Sequence, residues 1–140
     1  MPLSRWIVTT AIAILLGTAC TPHEDAALNT TICAVVSSPA TFNGRTVRIT
    51  AAIQSDGLHG SWLADRSCDG GIVILWPESA RKNPRVEQLR STLFSSVPPG
   101  TLDKEVRATL TGVFRARADA RTPRAIEFVD VQGLSVRPRD

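Results

Sequence analysis

Two stretches of the chain alternate between apolar and polar residues, and they constrain the fold more than any other feature. The alternation runs over residues 46–54 and again over residues 105–114. Successive side chains of a β-strand point to opposite faces, so a period of two predicts a strand with one buried face. The chain is therefore expected to be mainly β. The side chains expected to point inward are Val47, Ile49, Ala51, Ile53, Val106, Ala108, Leu110, Gly112 and Phe114.

A β-hairpin is predicted between these two strands. Residues 61–65 form its first strand, and the apolar run of residues 72–76 forms its second, which Pro77 stops. The loop of residues 66–71 contains Asp-Gly-Gly, a composition typical of tight turns.

The last strand is predicted over residues 125–136. Its apolar phase changes between Phe128 and Val129. A change of phase within one strand indicates a β-bulge, in which an extra residue shifts the side chains to the opposite faces.

The clearest helix signal follows the hairpin. Asn83 is a favourable N-cap and Pro84 suits the first helical position. An apolar stripe at helical spacing then comprises Val86, Leu89, Leu93 and Phe94.

A shorter helix is predicted near the N-terminus. Residues 29–31, Asn-Thr-Thr, can cap it, and apolar residues follow at positions 32, 35 and 36. This helix of two to three turns would carry Cys33 and end at residues 37–39, Ser-Ser-Pro.

This order of elements resembles the OB-fold, a five-stranded Greek-key β-barrel with its helix between strands 3 and 4. The resemblance covers residues 30–136 and depends on the element order, on Asn-Gly-Arg-Thr-Val-Arg-Ile at 43–49, and on Leu63-Ala64-Asp65 followed by Cys68. The chain also resembles small bacterial lipoproteins of uncharacterised function, which have one cysteine before the first strand and another near the second and third. The resemblance implies an OB-fold-like barrel with one or two helices, one of them a short N-terminal helix.

The N-terminus has the pattern of a secretory leader. A short basic segment, residues 1–5, precedes an eleven-residue apolar run at 6–16. That run is too short to span a bilayer, which needs about 20 residues. Residues 17–20, Gly-Thr-Ala-Cys, resemble the lipobox, although Gly17 stands where a leucine is usual. The resemblance implies cleavage after residue 19 and fatty acylation of Cys20. Ordinary cleavage after residue 19, giving a secreted protein without lipid, is the alternative.

The chain thus divides into a signal peptide at 1–19, a tether at 20–29 and one domain at 30–140. The lipid on Cys20 would fix the protein in a membrane, and Thr21 is not the aspartate that retains enteric lipoproteins in the inner membrane. We therefore expect the outer membrane, with the domain facing the periplasm.

The number of cysteines is consistent with acylation. The chain has three, and an exported domain tends to pair its thiols. If Cys20 carries lipid, Cys33 and Cys68 remain to form a disulfide. Two buried free thiols are the alternative.

The net charge of the chain excludes few classes of function. The formal charge is +3, and loss of Arg5 with the leader leaves 15 Lys and Arg against 13 Asp and Glu. This near balance does not indicate a nucleic-acid partner, and none is expected in a bacterial envelope. The one notable basic cluster comprises Arg115, Arg117, Arg121 and Arg124.

That cluster is open to two interpretations. In an OB-fold it lies in the loop between strands 4 and 5, which often contacts nucleic acids or sugars. It could bind an anion such as a lipid head group or a lipopolysaccharide phosphate, with Trp62 as a stacking platform. The interpretation that we prefer is a solvated loop with Asp119 among its charges, and Trp62 could equally fill space in the barrel.

Catalytic motifs are absent from the sequence. It has no nucleophile elbow, no phosphate-binding glycine-rich loop and no paired metal ligands. His59, flanked by Asp56 and Asp65, is the one candidate base, while His23 falls in the tether. We expect a lipid-anchored, non-enzymatic binding or scaffold module without a cofactor or metal, whose partner is an envelope protein or polymer. A binder of an anionic polymer is one alternative, and an enzyme using His59 is another.

Overall fold

The computed structural model describes residues 26–56, 60–94, 104–117 and 123–138. These ranges contain six strands: β1 (Leu28–Thr30), β2 (Thr46–Ser55), β3 (Ser61–Ala64), β4 (Gly71–Leu75), β5 (Lys104–Ala116) and β6 (Arg124–Pro138). None of the helices in these ranges is both long and apolar enough to cross a membrane.

Five of the strands form a closed barrel in the order β2-β3-β4-β6-β5, and β5 closes it by pairing with β2. All neighbours are antiparallel except β4 and β6, which are parallel. Because β4 and β6 run the same way, the chain needs a crossover between them, and the intervening segment contains a helix and β5. The predicted mainly β, OB-like five-stranded barrel is confirmed.

The helices lie at the two ends of this barrel. They are α1 (Ile32–Ser37), α2 (Pro39–Phe42) and α3 (Pro84–Phe94), with a 3₁₀ helix at Glu78–Lys82. The α1 end is defined here as the end where β2, β4 and β6 begin and β5 finishes. The α3 end is the opposite one, where α3 follows β4 and packs on β6.

The capping residues act as the sequence predicts. The Thr31 hydroxyl accepts a hydrogen bond from the Ala34 N–H at the start of α1. The side-chain oxygen of Asn83 accepts one from the Arg85 N–H at the start of α3. Helix α1 ends at Ser37 as predicted, but its six residues are shorter than the two to three turns expected, and Pro39 begins a second helix, α2, that was not predicted. Proline fits the first helical position, where the missing N–H has no partner within the helix.

The inward faces of the strands form one apolar core. Phe114 and Phe128 are fully buried within it, and Ile32 and Val35 add the buried face of α1. Trp76 is partly buried against the core, with its ring edge to face with Phe128 at a centroid distance of 4.9 Å. The buried side chains of α3 are Val86, Leu89 and Leu93, whereas Phe94 stays exposed.

The β-bulge predicted in the last strand is present. Thr111 pairs with Asp130 while the next residue, Gly112, pairs with Phe128, so Val129 is the extra residue. Its side chain is 52% exposed. A second irregularity was not predicted: three steps of β6 match two of β5 near Gly133, whose φ is +59°.

Strand β1 was also not predicted. Leu28 and Asn29, which the sequence analysis assigned to the tether, pair in parallel with Val47 and Arg48 of β2. A strand of three residues is too short to show a period, so the sequence gives no signal for it. The chain therefore joins the sheet at the α1 end.

Candidate functional site

A disulfide holds α1 against the hairpin loop between β3 and β4. Cys33 and Cys68 are bonded, with their Cα atoms 5.5 Å apart. The Thr31 cap positions Cys33 in the first turn of α1. On the other side the Asp65 carboxylate accepts a hydrogen bond of 2.8 Å from the Ser67 N–H, which shapes the loop before Cys68. This is the pair that the cysteine count predicts.

The same hydrogen bond sets the protonation of Asp65. Donation from the Ser67 N–H holds the pKa of this exposed carboxyl below its usual range, and the Ser67 side chain and the charge of Arg107 act in the same direction. Asp65 therefore stays ionised and keeps its acceptor role at neutral pH.

Trp62 lies on the outer surface of the barrel. It is half-buried, it faces away from the core, and its Nε1–H donates to the Gln54 side-chain oxygen at 2.9 Å. Its ring lies over Gly71, where a Cβ would be 3.5 Å from Trp62 Cδ1. Trp62 therefore does not fill space inside the barrel, which was one of the two roles that the sequence left open for it.

The predicted arginines are only partly brought together. Arg115 forms an ion pair of 3.6 Å with Glu127 on the neighbouring strand. Arg117 follows β5, and its N–H donates to the Pro123 carbonyl at 2.7 Å. Arg124 extends over Gly70, within 3.0 Å of where a Cβ would be. Arg121 lies outside the described residues.

Trp62 and Arg124 thus lie over two consecutive glycines, Gly71 and Gly70. The sequence does not show this juxtaposition, because it depends on the pairing of β4 with both β3 and β6. Gly71 leaves room for the indole of Trp62, and Gly70 leaves room for the guanidinium of Arg124. Planar, weakly hydrated groups of this kind stack on rings or contact anions.

Asp56 and Asp65 do not meet around a common centre. Asp56 follows β2 and accepts a hydrogen bond from the Gly60 N–H at 3.2 Å, whereas Asp65 follows β3. The two carboxylates are therefore at opposite ends of the four-residue strand β3, which is about 13 Å long. His59 lies outside the described residues. Within the described ranges, no group of three or more His, Cys, Asp or Glu side chains could hold a metal ion.

A surface groove between β2, the end of β3 and the start of β5 was missed by sequence reasoning. Its volume is about 550 Å³, and its charged lining residues are Asp65, Arg66, Lys104, Glu105 and Arg107. A neighbouring recess of about 270 Å³ adds Ser135 and Arg137. The alternating charges of β5 indicate an exposed face, but the groove itself requires the long-range pairing of Ala52 with Ala64 and Arg107.

Comparison with known proteins gave no match: no family, no curated protein and no solved structure is detectably similar to this chain.

Proposed function

We propose that the chain is an exported protein held at a bacterial membrane by lipid on Cys20, and that its barrel is a non-enzymatic binding module. The observation that carries this proposal is the disulfide between Cys33 and Cys68. Disulfides persist in oxidising compartments such as the periplasm, which agrees with the secretory pattern of the leader. The pair leaves Cys20 as the one cysteine that needs another chemistry.

The position of the first strand supports the same proposal. Strand β1 starts at Leu28, eight residues after Cys20, so the segment between the lipid and the barrel spans at most about 27 Å. A barrel held this close to a bilayer can act only on partners within the envelope. Its size, one small barrel with a single long helix, suits binding or scaffolding.

Fractionation with acyl labelling tests the proposal. Cells expressing the full chain are fed a radiolabelled fatty acid, and their membranes are washed with high salt and carbonate. Wild-type protein should carry label and stay in the membrane, whereas Cys20→Ala should lose the label and appear in the soluble periplasmic fraction. Cys33→Ala with Cys68→Ala is the matched control and should keep the label. An unlabelled, soluble wild-type protein would refute the proposal.

A second candidate function is recognition of an anionic polymer such as lipopolysaccharide or another envelope polysaccharide. The observation that favours it is the placement of Trp62 and Arg124 over Gly71 and Gly70. An indole supplies a stacking face and a guanidinium supplies charge, the combination that polymer-binding barrels use. Trp62→Ala and Arg124→Gln should weaken retention on lipopolysaccharide resin, while Lys82→Gln near α3 should not. Equal elution of all these proteins would refute this candidate.

A further inference from the structure

Three exposed arginines come together at the α1 end of the barrel, and we define Arg45, Arg115 and Arg117 as the basic end. Arg45 and Phe114 are backbone partners, since the Phe114 N–H donates to the Arg45 carbonyl at 3.0 Å. Arg115 is the next residue, and Arg117 comes directly after the end of β5. The three residues therefore lie at the same end of the barrel, with Arg45 opposite Phe114 and Arg115 on the outward side of β5.

Among the described residues, only Arg115 of these three arginines has an ion-pair partner. Arg45 and Arg117 form no ion pair with any described residue, and Arg115 shares its charge with Glu127 across 3.6 Å. Near α3 the situation is different, because three arginines there are paired with nearby carboxylates. These pairs are Arg81 with Glu78, Arg85 with Asp130 and Arg90 with Glu87.

The basic end is also where the chain leaves the barrel toward Cys20. Leu28 pairs with Val47 at the start of β2, two residues after Arg45. The eight residues from Cys20 to Leu28 limit this connection to about 27 Å, so this end is the one kept nearest to the lipid. The tether itself contributes Glu24 and Asp25, which lie before the described residues.

We propose that the basic end docks on the anionic head groups of the membrane that holds the lipid, so that the barrel lies against the bilayer with α3 turned away. This inference depends on the proposed lipid on Cys20. Clustered basic residues are attracted to anionic lipids when they lie within a Debye length of the surface, and a tether of at most about 27 Å lets them reach that range. Docking would present α3 to the periplasm in a fixed orientation.

Arginine footprinting tests the docking. Acylated protein, verified by intact mass, is reconstituted into vesicles of phosphatidylcholine alone or with added phosphatidylglycerol, and each arginine's reactivity toward phenylglyoxal is measured by mass spectrometry. Phosphatidylglycerol should slow the reaction of Arg45, Arg115 and Arg117 by roughly fivefold, in line with the attraction of one basic residue to an anionic surface. Arg81, Arg85 and Arg90 provide the internal control and should not change. High salt should abolish the difference.

A second experiment tests the docking with protein that carries no lipid. Cys20→Ala protein is mixed with anionic vesicles and separated by flotation. Arg45→Gln/Arg115→Gln/Arg117→Gln should lower its partitioning by on the order of a hundredfold, whereas Arg81→Gln/Lys82→Gln/Arg85→Gln, with the same loss of charge, should retain most of it.

The outcomes separate the two proposals. Equal protection of all arginines, or none at the basic end, would overturn the docking and leave the lipid on Cys20 untouched. Protection by soluble heparin but not by anionic vesicles would assign the basic end to a soluble polyanion and also overturn it. Absence of acyl mass before reconstitution would instead refute the proposed function.

Discussion

Gly112 of β5 lies directly against the backbone of Phe128 in β6, so that a Cβ at position 112 would overlap Phe128 Cα and the Glu127 carbonyl oxygen. This contact lies at the bulge, where one step along β5 matches two along β6. Gly112 also faces inward, in the middle of the strand that closes the barrel. The missing side chain therefore lets the two strands approach each other at the point where the register changes.

Gly112→Ala should lower the free energy of unfolding by about 2–3 kcal/mol, because the added carbon meets backbone that cannot move without shifting β6. Chemical denaturation checks this prediction. Val113→Ala, which shortens the adjacent outward side chain, is the control and should cost less than 1 kcal/mol by the usual range for surface positions. A Gly112→Ala protein as stable as wild type would show that the bulge relaxes freely.

Removal of the disulfide should lower stability by roughly 3 kcal/mol, given the 35-residue separation of the two cysteines. Cys33→Ala/Cys68→Ala and reduced wild-type protein should therefore unfold at similar denaturant concentrations. Adding a reductant to the double variant supplies the control, since it should change nothing. If the double variant kept wild-type stability, the disulfide between α1 and the β3–β4 loop would contribute nothing to the free energy of unfolding.

Two paired serines should respond differently to alanine. Ser55 and Ser61 are cross-strand partners, and both are buried. The Ser55 hydroxyl donates to the Gly60 carbonyl at 2.9 Å, whereas the Ser61 hydroxyl has no hydrogen-bond partner among the described residues. Ser55→Ala should cost about 1 kcal/mol, and Ser61→Ala should be neutral or stabilising. Thermal unfolding of the two variants shows which one loses more stability, and a larger loss of stability for Ser61→Ala would contradict the prediction.

Asp130 should make stability depend on pH in the acid range. Burial raises the pKa of Asp130. Hydrogen bonds from Asn83, Gln132 and the Val131 N–H, together with the charge of Arg85, more than offset this effect and leave the pKa below its usual range. The folded state therefore binds this proton less readily than the unfolded state. Its stabilisation is present above the unfolded pKa of about 3.9 and is lost as pH falls through the lower folded pKa.

Asp130→Asn should accordingly flatten the decline of stability below about pH 4, as followed by denaturation at a series of pH values. Glu78→Gln is the control, because Glu78 is 84% exposed and its ion pair is screened by solvent. An unchanged acid slope in Asp130→Asn would assign the pH dependence to other carboxyls.

The sequence predicts those parts of the fold that depend on local pattern. The alternation around Val47 and Val106 identifies β2 and β5, and Asn83 with Pro84 locates the start of α3. Strand β1 and the irregularity at Gly133 are missed, because a short strand has no period and a bulge near a strand end breaks no apolar run. Barrel closure could be expected only from the resemblance to the OB-fold.

The candidate sites could be predicted from local sequence patterns even less than the fold could. Strand pairing places Trp62 over Gly71 and Arg124 over Gly70, and it puts Arg45 at the same barrel end as Arg115, which is 70 positions later in the sequence. The groove around Arg107 likewise requires β2 to pair with β3 and β5 on its two edges. Composition and spacing can identify such residues as candidates but cannot bring them together.

Intact-mass measurement of the protein extracted from membranes with detergent tests the central proposal most directly. The proposal predicts a chain that begins at residue 20 and carries the added mass of two or three fatty acyl chains, with Cys33 and Cys68 oxidised. The Cys20→Ala variant should show no acyl mass. A wild-type mass equal to an unmodified chain, whether it begins at residue 1 or at residue 20, would contradict the lipid on Cys20 and the membrane docking that depends on it.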